Sequence, residues 1–256
     1  MTRIICDTMI WYELSKNNLQ VPDPKKYTLV CTYLSLMELA FSPNNFKNLS
    51  EVQEAVRHIF VVKPEIILDY PTDHAKSLID NDFHLKHEIE SDLTLAFLRV
   101  LLNHPKEGLI SNSFKDQLEN ISNTRKNNMA EWAEFMNELY QDDTDIRRAL
   151  KKYSQKDSDV VYFKKWFLHR LNDFEEDKYS SEKMPWELFE FYISIGAHYM
   201  RTMKLSRMKA DGNDENDLRN MIYVQPRDKY WTLEKKWLTF AREAKMSQYL
   251  YHPNDH

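Results

Sequence analysis

The chain has 256 residues, of which 42% are hydrophobic and 29% charged, which predicts one sizeable core or a core with a substantial insertion. Its formal net charge of −5 argues against a surface that is basic throughout and binds nucleic acid nonspecifically. A polyanion would have to bind to a local group of basic residues. The 3 glycines form no glycine-rich loop, which argues against a nucleotide-hydrolysing protein.

Residues 1–85 alternate apolar runs that predict buried strands with amphipathic runs that predict helices. The predicted strands are RIICDT, YTLVCTY and PEIILDY. The predicted helices are MIWYELSKNN, LSLMELAF, which a turn at Ser42-Pro43 ends, and SEVQEAVRHIF with Ser50 as N-cap. Alternation of this kind predicts an α/β fold with a parallel sheet flanked by helices.

The periodicity becomes helical from about residue 81 to residue 206, which predicts a large, mainly α-helical insertion. Its predicted helices are IESDLTLAFLRVLL, MAEWAEFMNELY, VVYFKKWFLHRL and MPWELFEFYISIGAHYMRTM. Its predicted breakers are PKEG, the polar stretch NISNTRKNN and KYSSEKMP.

The chain after the insertion returns to the pattern of the first part. Asn213 is the predicted N-cap of a helix over DENDLRNMIYV, and RDKYWTL predicts a last strand. We therefore expect a split core from residues 1–85 and 206–250, a helical subdomain over residues 86–205 and a tail over residues 251–256.

Four acidic residues follow or interrupt apolar runs at separate points of the chain: Asp7, Glu38, Asp217 and Glu234. Strands and helices can deliver these side chains to one cleft, where their mutual repulsion would require a hard cation such as Mg²⁺ or Mn²⁺. Asp214 lies three positions before Asp217 and is a reserve ligand. Each acid alone also has a structural explanation. Asp214 and Asp217 lie in a predicted first helical turn, where negative charge complements the helix dipole, while Glu38 fits a solvent-facing helix position and Asp7 a turn.

The order of these acids resembles that of the PIN-domain nucleases. IICDTMIWYEL is similar to the opening motif of that family and SLMELA to its early Glu-Leu motif, while Asp217 and Glu234 are 234 − 217 = 17 positions apart. Thr232 matches the threonine that usually precedes the last acid by two positions. Met9, where the family often has asparagine, and Glu234, where it usually has aspartate, depart from the pattern.

The resemblance implies a PIN-like endoribonuclease in which Mg²⁺ or Mn²⁺ assists hydrolysis of RNA phosphodiester bonds. Asp7 would be the central metal ligand, Glu38 and Asp217 would complete the site, and Glu234 would hold a second ion. The insertion would shape substrate access or contact a protein partner or a second copy. The alternative is a PIN-like module that binds nucleic acid or protein without cleaving it.

A basic track for nucleic acid is predicted on the last helix of the insertion, from Arg201, Lys204 and Arg207, although a solvated helix face explains the same charges. The segment from Tyr162 to Arg170 is also aromatic and basic, but its aromatic spacing favours helix core over base stacking.

Another nuclease pattern, the R-x4-H spacing of HEPN-type ribonucleases, is matched by Arg99 and His104. Two fixed residues arise readily by chance, and leucine packing explains the same helix. Metal-independent cleavage by this pair is therefore the weaker reading.

The compartment is predicted from cysteine usage and hydropathy. The 2 cysteines, Cys6 and Cys31, lie inside apolar runs, which is typical of a reduced cytoplasmic protein. No secretory leader pattern or bilayer-spanning apolar run is present in the sequence, so we expect a cytoplasmic protein without membrane contact.

Overall fold

The computed structural model describes residues 1–41, 48–80, 83, 95, 98–100, 102–103, 112–141, 156–172, 178–206 and 208–253. The strands are β1 (Thr2–Cys6), β2 (Tyr27–Thr32), β3 (Glu65–Ile67) and β4 (Lys229–Trp231). The α-helices are α1 (Thr8–Ser15), α2 (Tyr33–Ala40), α3 (Leu49–Val62), α4 (Pro71–Ile79), α5 (Asn112–Gln141), α6 (Lys156–Asn172), α7 (Glu190–Leu205), α8 (Gly212–Asn220) and α9 (Lys235–Glu243). Short 3₁₀ helices span Trp186–Phe189, Met221–Tyr223 and Ser247–Tyr249.

The strands form one parallel four-stranded sheet in the order β3-β2-β1-β4. In the register, Cys6 pairs with Cys31 on one side and with Trp231 on the other. The α/β class with a parallel sheet flanked by helices is therefore confirmed. Because β4 joins β1 from the opposite side to β2, the strand order reverses between β1 and β4, and such a switch point opens a crevice at the carboxyl ends of the strands.

Two hydrophobic clusters cover the two faces of the sheet, as expected for strands whose side chains alternate between faces. Ile4 and Cys6 belong to the cluster that contains residues of α1, α2 and α3. Ile5 belongs to the cluster that contains residues of α4 to α9. The helices of residues 112–205 thus share one hydrophobic cluster with the sheet, and Phe191 of α7 contacts Tyr230 of β4. The boundaries of a separate helical subdomain stay a prediction.

Several predicted boundaries differ from the structure. The polar stretch NISNTRKNN is not a breaker but lies inside the continuous helix α5, because it contains neither glycine nor proline and α8 packs against it. Helix α3 begins at Leu49 with Asn48 at the N-cap, so Ser50 lies one position inside it. The strand predicted from PEIILDY is limited to β3.

The N-cap of α8 is Asp211 rather than Asn213. The side chain of Asp211 accepts from a backbone N–H of the first turn, and the side chain of Asp214 accepts from the Asp211 backbone N–H. This reciprocal capping box satisfies two helix donors, whereas Asn213 at the cap would satisfy one.

The predicted helices over 160–171 and 184–203 are present, the second beginning as a 3₁₀ turn. The predicted tail starts with Tyr251, which is buried against Trp231 and whose N–H donates to the carbonyl of Tyr230 at 2.9 Å. No helix in the described ranges has the length and apolarity needed to cross a bilayer.

Candidate active site

A cleft of about 420 Å³ lies at the carboxyl edge of the sheet. Its lining includes all four acids of the predicted constellation, which are Asp7, Glu38, Asp217 and Glu234. We call this the acidic cleft. Its remaining lining residues are Thr8, Met9, Tyr12, Phe41, Ser122, Arg125, Lys126, Met129, Asn213 and Asn216.

Asp7 stands at the switch point between β1 and β4. Its backbone N–H donates to the carbonyl of Trp231 at 3.0 Å, which extends the strand pairing by one residue. Although Asp7 is the N-cap of α1, its carboxylate does not cap the helix. One carboxylate oxygen accepts from Thr232 Oγ1 at 2.8 Å.

Thr232 also links the two acids that follow the paired strands. Its Oγ1 accepts from the backbone N–H of Glu234 at 3.1 Å while its proton goes to Asp7. Glu234 is the N-cap of α9 without a side-chain cap bond, so its carboxylate is left to the cleft. The threonine predicted from the family motif thus orients both acids.

Glu38 enters the cleft from α2, whose N-terminus is capped by Thr32. Its two oxygens accept from different neighbours: Oε2 from the Thr8 hydroxyl, and Oε1 from Asn216 Nδ2 at 3.2 Å. Arg125 is near enough to favour the charged form of Glu38 electrostatically. These groups fix the orientation of the carboxylate.

Asp217 enters from α8. Its Oδ2 accepts from the indole Nε1–H of Trp237 at 2.8 Å, and both residues are buried. Trp237 belongs to α9, so the bond ties the helix that carries Asp217 to the helix that begins at Glu234.

Burial and mutual repulsion raise the pKa values of these acids. Burial first, and the Glu38 charge second, raise the pKa of Asp7 from 3.8 to about 7. The pKa of Asp217 is raised by burial and by the charges of Asp7 and Glu234. Burial is also the main cause of the raised pKa of Glu38. A positive charge placed between these groups would reverse the repulsive contribution.

The predicted reserve ligand Asp214 does not line the acidic cleft. Its Oδ2 accepts from Tyr199 Oη at 2.9 Å and from the backbone N–H of Asp211, and its Oδ1 pairs with Lys236. Asp214 therefore stabilises the start of α8, and its predicted role as a ligand finds no support in this placement.

Arg201 and Lys204 of the predicted basic track do not line the acidic cleft. Lys204 Nζ donates to Asp159 Oδ1 at 2.9 Å, and Arg201 Nη1 lies 3.5 Å from the other oxygen of this buried carboxylate. Arg207 and His104 lie outside the described residues, so the phosphate role of the track and the Arg99 and His104 pair stay predictions.

The sequence reasoning missed the opposite wall of the acidic cleft. Helix α5 contributes Ser122, Arg125, Lys126 and Met129, whose spacing of three, four and seven positions places them on one helix face. Arg125 Nη1 donates to the carbonyl of Met37 at 3.1 Å and so joins α5 to α2. The sequence signal for this wall is the same i, i+3, i+4 spacing, which begins within the polar stretch NISNTRKNN and continues to Met129.

Comparison of the chain with protein-family models, curated proteins and solved structures finds no match. The PIN-like resemblance therefore rests on the residues quoted from the sequence.

The donor set suits a hard divalent cation, since Asp7, Glu38, Asp217 and Glu234 offer carboxylate oxygens of the kind that Mg²⁺ and Mn²⁺ prefer. In the described part of the chain, however, no three His, Cys, Asp or Glu side chains lie close enough together to form a ready ligand group. The acids instead bond to Thr232, Trp237, Thr8 and Asn216, which hold them around the cleft wall.

Proposed function

We propose that the protein is a PIN-like, metal-dependent endoribonuclease whose catalytic residues are Asp7, Glu38, Asp217 and Glu234. The observation that carries the proposal is that four carboxylates, from four separate segments, line one cleft at the switch point of a parallel sheet. RNA is named as the substrate because of the family resemblance.

A cation bound by these carboxylates would activate a water and polarise the phosphate. The chain's own residues prepare the site for it. Thr232 and Trp237 orient Asp7 and Asp217, while Thr8 and Asn216 fix Glu38. Lys126, on the opposite wall, supplies a cation for a substrate phosphate.

The proposal is tested with a labelled single-stranded RNA and the variant Asp7→Asn, which removes one negative charge while nearly preserving shape. We expect the wild type to cleave with Mn²⁺ or Mg²⁺, and the variant to lose at least 100-fold in turnover, on the order of the effect of losing a key electrostatic group. Calorimetry measures Mn²⁺ binding in parallel. Full turnover by a folded Asp7→Asn protein contradicts the assignment.

A second candidate, a PIN-like module that binds nucleic acid or protein without cleavage, is favoured by one observation. Asp7, Glu38 and Asp217 all have hydrogen-bond donors from the protein, and the described acids form no ready ligand group. If RNA binds but neither Mn²⁺ binding nor cleavage is detected, this candidate replaces the enzyme.

A further inference from the structure

A second pocket, of about 350 Å³, lies beside α5 and is distinct from the acidic cleft. Three aromatic side chains line it, Trp132 and Phe135 from α5 and Trp166 from α6. Its polar lining residues are Asn128, Arg170, Glu215 and Arg219. We call it the aromatic pocket.

Two of the three rings of this pocket pack against buried aromatic rings of the core. The ring centres of Trp166 and the buried Phe163 are 5.2 Å apart. Trp132 stacks on the buried ring of Tyr199 with a distance of 6.3 Å between ring centres. Phe135 is 55% exposed. Aromatic rings fixed in this way form a rigid surface on which another planar ring can stack.

The charges around the rings favour an anionic ligand with hydrogen-bonding edges. Arg219 pairs with Glu215, donates to Tyr70 Oη and lies 5.7 Å from the centre of the Tyr70 ring. Among the described lining residues, Arg170 brings the guanidinium groups to two beside the one carboxylate of Glu215, in a chain of net charge −5. Asn128 adds an amide that can donate and accept.

The aromatic pocket adjoins the acidic cleft through two shared helices. On α5, Arg125 lines the cleft, and Asn128, Trp132 and Phe135 follow it at helical spacing along one side. On α8, Asn216 and Asp217 line the cleft while Glu215 and Arg219 line the pocket.

Tyr70 connects the two sites. It binds Arg219 of the pocket, and it is near enough to Arg125 of the cleft to interact with its charge. Arg125 of the cleft and Arg219 of the pocket therefore lie on either side of one tyrosine.

We propose that the aromatic pocket binds one unpaired base of the RNA strand whose backbone lies in the acidic cleft. The base stacks on Trp166 and Phe135, Arg170 pairs with the adjoining phosphate, and Asn128 and Glu215 bond to the base edge. This inference rests on the proposed function for the identity of the strand, but not on cleavage.

The test measures binding of a labelled ten-nucleotide single-stranded RNA by fluorescence anisotropy, in chelator, so that no cleavage occurs. The variant is Phe135→Ala, and the matched control is Phe60→Ala on α3, where another exposed phenylalanine lies outside both sites. We expect Phe135→Ala to weaken binding about 10-fold, the effect of losing one stacked base, and Phe60→Ala to change it less than 2-fold.

A fully abasic strand of the same length separates stacking from phosphate contacts. The wild type should bind this strand more weakly than RNA, and Phe135→Ala should then cost nothing further. Equal RNA affinity for the wild type and Phe135→Ala overturns the base-binding proposal, even if the wild type proves to be an active nuclease. If Phe135→Ala weakens RNA binding as expected but the wild type never cleaves RNA with Mn²⁺ or Mg²⁺, only the proposed catalysis is overturned. A wild type that binds no RNA either in chelator or with Mn²⁺ overturns both proposals.

Discussion

At the scale of one residue, the raised pKa of Asp7 shows that ionisation of this carboxyl destabilises the folded, metal-free protein. Its pKa is raised from 3.8 to about 7 by burial and by the Glu38 charge. Between these two values the folded protein binds more protons than the unfolded chain. Because the free energy of unfolding falls with pH where the folded state binds more protons, the metal-free protein should lose stability as pH rises from about 4 to 7.

The first prediction follows for Asp7→Asn in chelator. At pH 8 the variant should be more stable than the wild type by a few kcal/mol, and the difference should disappear below pH 4, where Asp7 is protonated in both states. Urea unfolding at a series of pH values measures this. A wild type whose stability increases with pH over this interval, in parallel with the variant, would contradict the sign.

Addition of metal should narrow this difference in stability. Mn²⁺ at a concentration 100 times its dissociation constant should stabilise the wild type by about 2.7 kcal/mol, because it binds only the folded state. Asp7→Asn should gain much less. An equal gain in both proteins would place the ion elsewhere.

The second prediction concerns Thr232, whose hydroxyl serves both Asp7 and Glu234. Thr232→Val keeps the shape but removes both bonds, so it should cost about 2 kcal/mol of stability and lower RNA turnover. It should also raise the pKa of Asp7 further, since the Thr232 bond lowers it. Thermal unfolding and turnover are compared with Thr232→Ser, which keeps the hydroxyl and should retain most activity.

Asp7 and Glu234 were predictable from sequence because an acid that follows an apolar strand, here β1 or β4, is recognisable by itself. Glu38 and Asp217 instead reach the cleft from helices α2 and α8, and the order of acids in the PIN-like motif points to them. Arg125 and Lys126 were not predictable in the same way, since they lie among asparagines that favour a loop when no packing partner is known. In the structure, α8 and α7 both pack against the helix that contains this stretch.

At the scale of elements, the packing of α6 on α7 depends on a glycine within a helix. A Cβ atom at Gly196 would lie 2.0 Å from the ring of Phe163, which is itself buried. The absent side chain thus lets the phenyl ring sit directly on the backbone of α7. Helix propensity alone would favour alanine by about 1 kcal/mol.

The third prediction is that Gly196→Ala destabilises the protein by roughly 1 kcal/mol, because overpacking of about 1–3 kcal/mol exceeds the gain in helix propensity. The double variant with Phe163→Leu should recover part of the loss, since a smaller side chain vacates the clash. Chemical denaturation checks both. A Gly196→Ala protein more stable than the wild type would mean that the ring moves aside at little cost.

Elements with a continuous apolar or periodic pattern were predicted well, as β1, β2, α6 and α7 show. Helix ends were predicted less well. Asp211 caps α8 because its side chain accepts from a first-turn N–H while the Asp214 side chain accepts from the N–H of Asp211. Sequence spacing alone is equally consistent with Asn213 as the N-cap. The length of a helix was hardest to predict for α5, because its 30 residues include a long polar span.

On the scale of the whole molecule, a net charge of −5 means that nucleic acid must be met at a local cationic surface. Besides the aromatic pocket, two surfaces in the described part of the chain are candidates for this role. One is Lys126 beside the acidic cleft, and the other is the pair Arg201 and Lys204 on α7. The second surface is already engaged with the buried carboxylate of Asp159, so phosphate binding there would have to compete with an internal ion pair.

The last prediction separates these surfaces by salt dependence. Lys126→Ala should reduce the slope of log affinity for single-stranded RNA against log salt by about 0.7, as the loss of one phosphate contact does, without changing thermal stability. Replacing Arg201 and Lys204 by alanine should instead cost about 3 kcal/mol of stability, because it leaves Asp159 buried without a counter-charge. Adding Asp159→Asn to that variant should recover stability without altering RNA affinity. A salt slope that falls for the α7 variant and not for Lys126→Ala would assign the nucleic-acid track to α7, as the sequence alone predicts.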